Sequence, residues 1–223
     1  MIEWESAKQI IGGTRVLAGP QLSQQLRQNP EHAAFVLARY RTAAAMIGDA
    51  LSVLEVGCGE GIGAGILAKH REMYVGVDSD PDGIKAANEV NTQREPLDRR
   101  RISFLHGDVL SFRDEMGAFD AVVSLDVIEH IPSDEEGLFM DYVRGSVSQH
   151  GVAVIGTPSA NAYHLASPQS KAGHINNLTP ERLKDLMRRH FHRVQLMGMQ
   201  DTSVHFGHPG MMHYVIAVGI GPR

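Results

Sequence analysis

A single cysteine, Cys58, leaves this 223-residue chain without a disulfide framework. It also lacks any stretch near the ~20 apolar residues that a membrane-spanning helix needs. The opening MIEWESAK has neither the basic start nor the apolar run of a secretory signal, so the cytoplasm is the expected compartment. Positive charge is not in excess: 21 Lys plus Arg stand against 26 Asp plus Glu, a formal charge of −5, which offers no basic field to hold long nucleic acid by its phosphates. There is no internal repeat, low-complexity tract or sign of a second domain. What is present, 43% hydrophobic residues and 23 glycines, suits one globular domain and excludes disorder and collagen.

Up to Asp49 the pattern is helical. From Pro30 to Ile47, residues Phe35, Val36, Tyr40, Ala43, Ala44 and Ile47 recur at three-to-four spacing behind a proline suited to a helix start. From Leu51 short β-rich runs alternate with helical ones: LSVLEV (51–56), MYVGV (73–77), RISFL (101–105), FDAVVSL (119–125) and GVAVIGT (151–157). That alternation predicts an α/β fold, a Rossmann-like doubly wound sheet of five parallel strands. Pro81 opens a helix to Asn91, Ser133-Asp134-Glu135-Glu136 reads as a capping box for a helix ending near His150, and Thr179-Pro180 caps another through His190. HRVQLMGM (192–199) and MMHYVIAVG (211–219) follow with no helix between, so an antiparallel hairpin at the sheet edge completes seven strands. Residues 1–49 are then a helical cover, 51–156 a ligand-binding half, 157–178 an active-site lid, and 179–223 a helix and hairpin. The lid assignment rests on 22 residues rich in Ser, Pro, Asn and His that lack either periodicity.

LEVGCGEGIG (54–63) follows the first strand and opens a helix, a turn that lets backbone N–H groups approach a ligand. The dinucleotide fingerprint fits only loosely, through Gly59, Gly61 and Ala64, and starts two residues late. The stretch instead resembles motif I of class I S-adenosylmethionine-dependent methyltransferases, with acidic Glu55 on the strand before Gly57, Gly59 and Gly61. The resemblance continues through VGVDSD, HGDVLSF (106–112) and FDAVVSLDVIEHI. It implies that Asp78 accepts the ribose hydroxyls and that Asp108 takes the adenine amino group beside the Val109 N–H. Cys58, Ser79 and Leu125 complete the implied cofactor contacts. Cys58 itself reads as a small space-filler, since no partner base lies near it in sequence.

Nine of the twelve histidines fall after residue 129. Asp126, Glu129 and His130 stand at i, i+3 and i+4 after the fourth strand, on one face of a helical turn, and His174 enters from the lid. This set resembles the E-x-x-E-H plus distant His of small-RNA 3′-terminal 2′-O-methyltransferases, with Asp126 in place of the first Glu. Its I-E-H-I core is similar to that of ubiquinone-type O-methyltransferases. The resemblance implies that Asp126, Glu129, His130 and His174 hold a divalent ion such as Mg²⁺, Mn²⁺, Fe²⁺ or Zn²⁺, or that His130 or His174, with Glu129, acts directly on the acceptor.

The expected activity is therefore methyl transfer from S-adenosylmethionine to a hydroxyl of a small polar acceptor such as a sugar or nucleotide metabolite. An N-methyltransferase, a terminal RNA 2′-O-methyltransferase and, more remotely, a nicotinamide-dependent oxidoreductase are the rival readings.

Overall fold

The computed structural model describes residues 18–108 and 117–223. Val109, together with residues 1–17 of the expected cover, lies outside the described residues. Two helices come first, α1 (Pro20–Gln28) and α2 (Pro30–Met46), separated by Asn29, whose side chain accepts from His32 N at 3.1 Å as an N-cap. The sheet strands are β1 (Ser52–Val56), β2 (Met73–Asp78), β3 (Ile102–His106), β4 (Phe119–Leu125), β5 (Val147–Pro158), β6 (Phe191–Gln200), β7 (Ser203–His205) and β8 (Tyr214–Pro222). Between them run α3 (Ala64–Leu67), α4 (Pro81–Asn91), α5 (Pro96–Arg101), α6 (Glu136–Ser146), α7 (Pro168–Gly173) and α8 (Pro180–His190).

The strand order is β3-β2-β1-β4-β5-β8-β6-β7. The first five are mutually parallel, and β8 runs antiparallel to both β5 and β6. Both faces are covered, which is why β1 and β4 read as nearly unbroken apolar runs. One face packs Tyr40, Ala43, Leu67, Tyr74 and Phe104, and the other packs Phe139, Val143, Leu183, Met187 and Phe191. Among the described residues no helix is long and apolar enough to cross a membrane.

Three expectations need correction. The sheet has eight strands: β7, three residues pairing with Gly198–Gln200, is too short to leave a periodic signal. The closing pair is antiparallel as expected, yet β8 lies inside the sheet, between β5 and β6, with β6 towards the edge. The 133–136 capping box does not form, because Glu136 turns its carboxylate to Arg182 (2.6 Å) and Asn176 (3.0 Å), and α6 ends at Ser146 where Val147 pairs with Phe119.

Segment 157–178 is not irregular throughout. Thr157 and Pro158 finish β5, a 3₁₀ turn covers Ala160–Leu165, and Ser167 caps α7 through the Ser170 N–H. Each piece is too short to show helical periodicity in the sequence.

Candidate active site

A cleft of about 700 Å³ opens at the carboxyl ends of β1, β2 and β4, where sites in open α/β sheets form. Its floor is the turn after β1. Gly57 has φ +79, and a Cβ there would overlap the Val127 side chain, so this position excludes every other residue on two counts. The turn is tied to β2 by the Asp78 carboxylate, which accepts from Gly59 N at 2.7 Å and from Asp80 N at 2.8 Å. Of the residues expected to contact the cofactor, Gly57, Cys58, Gly59, Asp78, Ser79, Asp108 and Leu125 line the cleft.

Two members of the expected cofactor set do not. Glu55 is fully buried beneath the floor, where its carboxylate accepts from Tyr40 Oη at 2.8 Å and from Tyr74 Oη. Burial pushes its carboxyl up to about 7 against the pull of the two tyrosine hydrogen bonds. Gly61 also lies off the cleft: its φ is +74 and an added Cβ would press on the Phe104 ring at 2.8 Å, so its task is packing. Cys58 is buried and its thiol is pushed far up by desolvation, which fits a space-filler.

The other wall is built after β4. Glu129 is 1% exposed; its Oε2 accepts from Thr157 Oγ1 at 2.9 Å, while Oε1 is buried with no partner. Burial, then the negative charge of Asp126, raise this carboxyl well above the ordinary range. His130 Nδ1 lies 2.9 Å from the Gly173 carbonyl. A carbonyl only accepts, so Nδ1 carries the hydrogen, and in the neutral ring the lone pair is then on Nε2. The His174 ring stands edge-on to that of His130, centroids 5.0 Å apart at 84°. Burial, and then the neighbouring His130, lower the His174 pKa. Glu129, His130 and His174 offer ligand atoms within 4.8 Å of one another.

Asp126 does not join them. Both its oxygens accept from Arg39 Nη1, at 2.7 and 2.6 Å. The Arg39 guanidinium is 7% exposed and held between the Phe35 and Tyr214 rings, at 4.1 and 4.0 Å from their centroids. The aspartate is a methylene shorter than the glutamate of the resembled set, and its charge is already paired, so a four-ligand metal set is not assembled here.

The sequence reading missed Arg39, Gln21, Gln25 and His32, which α1 and α2 bring to the cleft, and Thr157 behind Glu129. Arg39 left one trace, a charge beside the apolar stripe Val36-Tyr40-Ala43. His205 and His208 do not line the cleft; their Nδ1 atoms accept from Gly207 N and Gly210 N in turns.

Comparison with known proteins fits this geometry. Residues 53–151 match the family model of a methyltransferase domain. The ubiquinone biosynthesis O-methyltransferase of Azorhizobium caulinodans is 29% identical over 107 residues, 48% of this chain and 40% of that protein. The mitochondrial ubiquinone biosynthesis O-methyltransferase of Arabidopsis thaliana is 28% identical over 133 residues, 60% of this chain and 40% of that protein. The matches thus span less than half the length of these relatives. Among solved structures, the methyltransferase domain of bacterial CtHen1 superposes with TM-score 0.68 at 18% identity, covering 83% of this chain and 99% of that one. The N-methyltransferase NodS of Bradyrhizobium japonicum, in complex with S-adenosyl-L-homocysteine, gives 0.63 at 18% identity, covering 89% and 91%.

Proposed function

We propose that this class I S-adenosylmethionine-dependent methyltransferase methylates a hydroxyl of a small polar acceptor, with His130 as the base that removes the hydroxyl proton. The observation that carries this reading is the meeting, in one cleft, of the glycine turn and Asp78 with the edge-on imidazole pair.

When bound, S-adenosylmethionine supplies a methyl already activated by its sulfonium. The work left to the chain is alignment and proton removal. An aliphatic hydroxyl scarcely ionises at neutral pH, and the Nε2 lone pair of the neutral His130 ring can take up its proton. The hydrogen bond from Nδ1 to Gly173 fixes the ring and stabilises the imidazolium that results. The Asp78 carboxylate at the end of β2 offers acceptor oxygens to a pair of ribose hydroxyls. Glu129, raised above the usual range, keeps a neutral or anionic oxygen, Oε1, turned to no protein partner.

That orphaned oxygen favours a second reading. With the two imidazoles it fits a divalent ion, held by one carboxylate and two histidines, which would supply Lewis-acid lowering of the hydroxyl pKa.

The test is methyl transfer from labelled S-adenosylmethionine to matched hydroxyl and amine acceptors, sugars and nucleosides among them, with and without chelator. Turnover on hydroxyls that survives chelator supports the base; loss that a divalent salt restores supports the metal; transfer to amines alone overturns O-methylation.

A further inference from the structure

His174 follows the C-terminus of α7, whose last residue, Gly173, bonds His130 Nδ1 through its carbonyl and whose Ser170 carbonyl accepts from His174 N, but neither bond reaches the His174 ring or fixes the chain beyond it. The residues that follow are held separately. Ile175 N and Asn176 N both donate to the Glu129 carbonyl, at 2.9 and 3.0 Å, zipping the lid to the turn that carries Glu129 and His130. What holds those two amides in place is the Asn176 side chain, 3% exposed and used at both ends. Its Oδ1 accepts from Arg182 Nη1 at 2.7 Å, and its Nδ2 donates to Glu136 Oε2 at 3.0 Å. Arg182 Nη2 closes the ring to the same Glu136 oxygen at 2.6 Å. Arg182 stands in the first turn of α8 and Glu136 at the start of α6, so two long, well-packed helices grip one amide group. Only an amide serves there. An aspartate could accept from Arg182 but has no hydrogen for Glu136, and would set two carboxylates side by side.

We propose that Asn176 is a positioning residue, clamped by Arg182 and Glu136 so that His174 stands edge-on to His130 beside Glu129. This rests on the imidazole pair being the reacting end of the cleft, as argued above. The clamp explains why the capping box at 133–136 is given up: Glu136 is committed to the lid. It also makes the lid's last residues part of the rigid frame, while the pieces before His174 are joined to it by fewer bonds.

The test uses the intact chain in chelator, with imidazole-labelled histidine. The wild type should show a ring-to-ring cross-peak between His130 and His174. In Asn176→Ala that cross-peak should vanish, and exchange of the Ile175 amide should accelerate at least tenfold. Glu136→Gln keeps an acceptor oxygen and should retain both signals. Should Asn176→Ala fail to fold, Arg182→Met removes the clamp from the surface side and should give the same losses. A lower unfolding midpoint with the cross-peak and the slow Ile175 exchange intact would overturn the proposal, leaving Asn176 a merely structural group. Calorimetry with S-adenosylhomocysteine on the same samples separates the two ideas: no heat from the wild type overturns the cofactor reading, and leaves the imidazole result standing or falling on its own.

Discussion

Glu55 and Arg39 show how differently two buried charges can be handled. Glu55 is raised to about 7 from an ordinary 4.5 because it sits in a dry layer with only two tyrosine hydroxyls for solvent. The folded chain therefore holds a proton there that the unfolded chain has lost between about pH 4.5 and 7. Stability falls as pH rises through that window, and above it the fold carries the whole penalty, about 3 kcal/mol for a shift of this size. Glu55→Gln cannot titrate. Urea unfolding at pH 5 and pH 8 should show the wild type losing about 2 to 3 kcal/mol more than the variant between the two; parallel losses would mean that Glu55 is hydrated.

For Arg39 the cost is met by Asp126 and two aromatic faces, and the two partners are not equivalent. Asp126→Asn leaves an almost wholly buried cation without its counter-charge and should cost about 3 kcal/mol, whereas Arg39→Met leaves a carboxylate that water still reaches and should cost about 1 kcal/mol. Denaturant midpoints of the two variants decide the order. Such pairings explain what was legible at this scale. Asp78 and His130 could be placed from strand ends alone, because a residue at a carboxyl terminus of β2 or just past β4 has one place to go. Glu55 could not, since both faces of β1 are buried and nothing in the motif says that the hydroxyls meeting it come from Tyr40 and Tyr74. Asp126 reaches the cleft as expected but does not join the metal set, because its partner comes from 87 residues earlier in the chain.

At the scale of elements, α1 is fixed to the floor of the cleft by an acid. Glu60, in the turn after β1, accepts from Gln21 N at 2.8 Å and Leu22 N at 2.6 Å, taking the place of an N-cap that Gly19 cannot supply. Glu60→Ala should cost about 1 kcal/mol and speed amide exchange at Gln21 and Leu22 without altering exchange in β1 or β4. Uniform acceleration would show instead that the whole floor has loosened. The helix over 30–46, the one over 81–91 and the one over 180–190 match their sequence signals closely, since each begins on proline behind Asn29, Asp80 or Thr179, side chains that accept from the first-turn amides. The pieces of segment 157–178 did not announce themselves, because six residues complete fewer than two helical turns and their geometry is imposed by Glu129 and α8.

At the scale of the whole molecule, the order β3-β2-β1-β4-β5-β8-β6-β7 brings the ends of β1, β2, β3 and β4, with Gly57, Asp78, Asp108 and Leu125, to one cleft. Ligand and fold are then linked. S-adenosylhomocysteine at a hundred times its dissociation constant should stabilise the chain by about 2.7 kcal/mol, raising Tm by about 5 to 10 °C. Asp78→Ala should abolish the rise, and a wild-type scan unmoved by the compound would refute cofactor binding outright.

Among the described strands, the one latest in sequence is an interior one. Without Tyr214–Pro222, β5 and β6 have no neighbour to share, and the ring that backs Arg39 is missing as well. Cutting this strand out thus bares two raw sheet margins and one side of a buried cation at once, so damage there should read as failure to fold rather than as slower turnover.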